Sequence, residues 1–120
     1  MTGGKAAPYP YNLGNDGANA AGYHVAGGGG GAGTAGNGVA GGDGYSCDIT
    51  GETAYYAGGG GGGRMWNVPG PNGLGGGKEN YGGGGRASAD YTVTTPQTGG
   101  PGIVIIRYKR PESGTAVFLR

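Results

Sequence analysis

Ala57-Gly58-Gly59-Gly60-Gly61-Gly62-Gly63-Arg64 is the stretch on which the reading of this chain turns. It has shorter counterparts at residues 27–31, 75–77 and 82–85. No side chain in these runs can fill a core. A glycine inside a helix or strand costs roughly 0.5–1 kcal/mol relative to alanine, so six in succession break either element. Two states remain. One is a flexible linker. The other is an extended polyproline-II-like rod with three residues per turn and a rise of about 3.1 Å per residue. A rod of this kind bonds nothing within itself, so its N–H and C=O groups need partners on neighbouring chains. Glycine alone lets several such rods come close enough to serve as those partners.

Working outward, the chain sorts its residues. The segments that read as rods lie at about 26–33, 36–42, 57–63, 73–77, 82–85 and 99–102, and hold Gly, Ala and an occasional Val or Leu. The inserts at 43–56, 64–72, 78–81 and 86–98 hold most of the Tyr, the Trp and much of the charge. A random glycine linker would not be segregated in this way. A rod of seven residues spans roughly 20 Å, and short inserts turn each rod back along the last. The expected fold is therefore irregular and glycine-rich: a bundle of packed polyglycine-II rods joined by loops, with almost no α-helix.

The two ends differ from the middle. Residues 1–25 read as an extended lead-in, with Pro8-Tyr9-Pro10-Tyr11 holding the backbone out and Asn15-Asp16-Gly17 marking a turn. Residues 26–102 are the rod bundle. In residues 103–120, Ile103-Val104-Ile105-Ile106-Arg107-Tyr108 is a β-branched run and Thr115-Ala116-Val117-Phe118-Leu119 a second one, separated by Glu112-Ser113-Gly114. This pattern predicts a C-terminal β-hairpin with apolar residues on both faces. Ile103, Ile105, Tyr108, Val117, Phe118 and Leu119 are its candidate subunit-docking residues.

Composition excludes several functions. Glycine supplies 36 of 120 residues, but there are only seven Pro and no Gly-X-Y register, so collagen is excluded. The net charge is +1 and no basic block exists, so no nucleic-acid partner is expected. Cys47 is the only cysteine, which rules out an intrachain disulfide. Residues 1–5 lack an apolar stretch, so no signal peptide is expected, and no apolar run is long enough for membrane insertion. Residues 58–63 satisfy a dinucleotide-binding glycine pattern only trivially, with neither strand before nor helix after. Gly77-Lys78 lacks the remaining glycine and hydroxyl of a phosphate-binding loop. His24 has no partner at catalytic spacing, and Asp43, Asp48, Glu52 and Asp90 are too scattered for calcium. No catalytic residue, metal site or cofactor is expected, and an enzyme finds no support. An ice-binding bundle would need flatter, more regular faces than these inserts provide.

Three blocks carry a resemblance. Val25-Ala26 leads into five glycines. Ile49-Thr50-Gly51-Glu52-Thr53-Ala54-Tyr55-Tyr56-Ala57 leads into six. Gly99-Gly100-Pro101-Gly102-Ile103-Val104-Ile105-Ile106-Arg107-Tyr108 follows. In this order they resemble the glycine-rich domains of bacteriophage tail proteins, over residues 23–108. The resemblance implies a virion protein made in the host cytoplasm and placed at the end of a tail fibre. Its rods would pack in a polyglycine-II lattice, and its loops would present contacts to a host cell-surface receptor, an outer-membrane protein or a glycan. Other tail-fibre subunits are the implied partners, with a homotrimer among the arrangements allowed. The chain departs from the pattern in having no β-rich domain before the rods and in continuing past Tyr108.

Within that frame the candidate receptor contacts are Arg64, Met65, Trp66, Asn67, Arg86 and Tyr91, since Trp and Arg are enriched at binding hot spots. Trp66 equally suits a cap over the bundle end. Tyr45, Tyr55 and Tyr56 are second-choice contacts, with Tyr55 and Tyr56 also placed to pack on the bundle. The alternative to an adhesin is a purely structural fibre, adaptor or decoration subunit that touches no receptor.

Overall fold

The computed structural model describes residues 2–5, 14–20, 22, 24–64, 68–76, 81–85, 87 and 98–109. Among them there is no helix, and regular structure is limited to two small antiparallel hairpins. β1 (Tyr45–Cys47) pairs with β2 (Ala54–Tyr56), placing Tyr45 opposite Tyr56 and Ser46 opposite Tyr55. β3 (Gly63–Arg64) pairs with β4 (Val68–Pro69). The first hairpin is built from an insert, where Tyr45, Tyr55 and Tyr56 favour the pleated backbone; the second begins on Gly63, the last glycine of the central run.

The centre of the molecule is residues 57–63. Every carbonyl of this segment accepts a main-chain hydrogen bond, and the donors repeat every third residue. Ala32, Gly29 and Ala26 donate to Ala57, Gly60 and Gly63, at 2.9, 2.9 and 2.8 Å. Gly84 and Ala87 donate to Gly58 and Gly61, at 2.8 and 2.9 Å. Gly73 and Gly70 donate to Gly59 and Gly62, at 3.1 and 2.7 Å. On the donor side, the N–H groups of Gly59 and Gly62 reach the carbonyls of Gly42 and Val39, at 2.7 and 2.8 Å. Four different segments thus surround one glycine run. The numbering of each pair gives direction: residues 26–32, 39–42 and 70–73 run antiparallel to the central segment, and 84–87 run parallel to it.

The steric environment repeats in the same way. A Cβ at Gly58 or Gly61 would fall on the carbonyl of Leu74 or Gly70, at Gly59 or Gly62 on that of Gly29 or Ala26, and at Gly60 on that of Gly85. Main chain packs directly on main chain. Consequently every described residue that is fully buried is a glycine, and no apolar or polar side chain is. The absence of a hydrophobic core among the described residues follows from the composition.

Several sequence expectations are revised. The run 36–42 is not continuous: Asn37 and Ala40 bridge one another and Gly38 turns with φ 56°. The segment expected at 73–77 begins earlier, since Gly70 is already buried, and it turns at 74–76 with Gly75 at φ 79°. Residues 14–20 are part of the body, not a lead-in. Asn15 and Ala18 donate to Gly31 and Gly28, and Gly36 donates to Asp16. The largest change is at residues 103–108, which form no strand here. A strand is defined by its ladder partner, and the expected one, Thr115 to Leu119 with Val117 and Phe118, lies outside the described residues. Val104, Ile106 and Tyr108 are 88, 81 and 79 % exposed.

Candidate binding surfaces

Short polar side chains supplement the main-chain network of the glycine segments. The Gly61 N–H donates to Asn72 Oδ1 at 2.8 Å. The Leu74 N–H donates to Asp43 Oδ1 at 2.8 Å, and the Asp43 N–H donates to Thr34 Oγ1 at 2.7 Å. Asn15 Nδ2 donates to the Gly31 carbonyl at 2.9 Å. Each supplies a group that a further segment would otherwise provide. Asp43 therefore has a structural role. These residues carry no motif; the signal available was a small amide, carboxyl or hydroxyl beside a glycine run.

The hydrogen-bond register sorts the remaining residues into two ends. At one end the central run passes into β3, and the parallel segment passes Ala87. At the other, the Ala57 N–H donates to the Tyr81 carbonyl, and β1–β2 lies next to it.

No protein family, characterised protein or solved structure matches this chain.

At the β3–β4 end, Arg64 lies in β3 and faces Val68 across the hairpin. Met65, Trp66, Asn67, Arg86 and Tyr91 lie outside the described residues. At the opposite end the structure gathers the tyrosines. Tyr56 and Tyr81 stack with ring centroids 5.2 Å apart and planes 20° apart. Such a pair contributes about 0.5–1.5 kcal/mol beyond its buried area. The pair lines an open recess of about 450 Å³, together with Ile103, Ile105, Thr50 and Glu52. Tyr45 is 66 % exposed and Tyr55 is half-exposed. Of the second-choice contacts, Tyr56 is thus engaged by its neighbours and Tyr45 is free to meet a partner. Tyr81 was not singled out from the sequence; only its place beside a glycine run hinted at packing.

Ile103 and Ile105 line this recess, whereas Val104, Ile106 and Tyr108 face solvent. The C-terminal run therefore sets Ile105 and part of Ile103 against the tyrosine end and leaves Val104, Ile106 and Tyr108 open. Among the described residues no three metal-ligating side chains cluster, and no helix is long and apolar enough to cross a membrane.

Proposed function

We propose that this chain is a virion protein at the end of a phage tail fibre, a polyglycine-II bundle that presents loops to a host-surface receptor. The observation that carries the architecture is the three-residue repeat of hydrogen-bond partners and steric contacts along 57–63. A threefold extended helix has that period; an α-helix has 3.6 and a strand 2. The virion role is supported by the order of the three tail-like sequence blocks.

The polarity follows from the two ends. The open apolar face of 104–108 suits attachment to another fibre subunit, with Ile103 and Ile105 holding the run to the tyrosine end. The opposite end then becomes the receptor-contacting tip, where Arg64, Met65, Trp66 and Asn67 sit in sequence beside β3–β4. Arg86 and Tyr91 adjoin the segment that runs parallel to the central run and ends toward the same side. Trp66 is the central anchor.

The test is adsorption of particles carrying Trp66→Ala. Host binding should weaken by roughly 2 kcal/mol or more if Trp66 is a hot spot, with particle assembly unchanged. Unaltered adsorption by this variant, together with loss of adsorption on Tyr45→Ala, would reverse the polarity. Unaltered adsorption by both would favour the purely structural subunit.

A further inference from the structure

The dipeptide Asn-Gly occurs at Asn37-Gly38 and again at Asn72-Gly73. In this dipeptide the glycine nitrogen can reach the side-chain amide carbon of the asparagine, because no Cβ stands in the way. The glycine N–H first gives its proton to solvent base. Its nitrogen then bonds to the asparagine Cγ, and Nδ2 leaves as ammonia, closing a succinimide ring. Water opens the ring at either carbonyl, giving aspartate or isoaspartate. The net exchange is water for ammonia. Two conditions govern the step: the glycine nitrogen must be free to lose its proton, and the side-chain amide must be free to turn onto it.

At Asn72 the fold denies both. Asn72 Oδ1 accepts from the Gly61 N–H at 2.8 Å, and Nδ2 donates to the Gly76 carbonyl at 3.4 Å. The Gly73 N–H donates to the Gly59 carbonyl at 3.1 Å. Gly73 is buried, and a Cβ there would fall on the main chain of Gly42. Ring closure at Asn72 therefore has to break contacts with the central run.

At Asn37 the fold denies neither. Its main chain is held, donating to the Ala40 carbonyl at 3.0 Å and accepting from the Ala40 N–H at 2.9 Å. Its side chain is exposed, and among the described residues nothing bonds its amide or the Gly38 N–H. Gly38 is exposed as well and turns at φ 56°, with open space on every side of where a Cβ would stand.

We propose that Asn37 is a site of spontaneous deamidation in the folded chain, and that Asn72 is its protected twin, converted only when the bundle opens. Conversion at Asn37 places a carboxylate on an exposed turn. Conversion at Asn72 replaces the Nδ2 donor with an acceptor facing the Gly76 carbonyl, so it marks a bundle that has opened and opposes its closing again. Neither event depends on receptor binding or on which end of the body is attached.

The test is mass spectrometry of the full chain held at mildly alkaline pH and sampled over time, with fragment spectra locating each amide lost. Folded chain is compared with chain in guanidinium chloride, where both sites should convert. In the folded chain Asn37 should yield aspartate and isoaspartate, faster as the pH rises, because the Gly38 nitrogen must lose a proton. Relative to each site's rate in denaturant, Asn72 should convert about tenfold or more slowly than Asn37, since it waits on opening. Asn37→Gln should remove the isoaspartate formed at this turn. Equal relative rates at the two sites in the folded chain overturn the proposal, as does an Asn37 amide that survives in the folded chain while the denatured chain loses it.

Discussion

Residues 58–63 and residues 103–108 have opposite compositions and opposite fates. The first stretch offers no side chain, yet it is fully buried. The second is rich in β-branched residues, yet Val104 and Ile106 are more than four-fifths exposed. Ordinarily burial follows apolar surface, at about 25 cal/mol per Å². Here it follows the closeness with which main chain can approach main chain. Ordering one residue's backbone costs roughly 1–2 kcal/mol, while one hydrogen bond contributes about 0.5–1.5 kcal/mol net. A glycine run is therefore ordered only when neighbours enclose it on several sides. The interior is collective, and the apolar run is left at the surface.

Substitutions in the two stretches should separate these roles. The largest effect is expected at the centre. Gly60→Val places its Cβ on the Gly85 carbonyl, and Gly61→Val on that of Gly70. Neither rigid backbone can yield, so each should cost at least the ~3 kcal/mol upper end of ordinary overpacking. Urea denaturation measures it, and wild-type midpoints for both would mean that the run is not enclosed.

Next comes Asn72→Ala, which deprives the buried Gly61 N–H of its acceptor. An unsatisfied buried donor costs about 1–3 kcal/mol, read as a lower denaturation midpoint with an unchanged slope. The smallest effect belongs to the apolar run. Ile106→Ser should change stability by no more than ~0.5 kcal/mol, as exposed positions do, while impairing the attachment to another fibre subunit proposed above. A destabilisation as large as that of Asn72→Ala would mean that residue 106 is covered within its own chain.

Much of this contrast can be read in the sequence. The sorting of Gly and Ala away from Tyr and charge marks residues 57–63 as an enclosed segment. The three-residue repeat of its hydrogen-bond partners belongs to the structure and is not written in a run of identical residues. The turn at Asn37 to Ala40 is not legible, because Gly38 looks like any other glycine until its φ is known. Nor is the inclusion of 14–20 in the body, since the bonds of Asn15 and Ala18 join residues distant in sequence. The roles of Asn72 and Asp43 are hidden for a related reason: a polar side chain that replaces a main-chain group is chosen by geometry, not by periodicity. The run at 103–108 misleads in the other direction. Its β propensity expresses a capacity to pair, and pairing depends on a partner strand.

Amide hydrogen exchange on the folded chain tests the enclosed glycine interior most directly. Enclosure predicts strong protection at Gly59 and Gly62, which donate to Gly42 and Val39, and fast exchange at Val104 and Ile106. Uniformly rapid exchange through residues 57–63 would contradict it and return those glycines to the status of a linker.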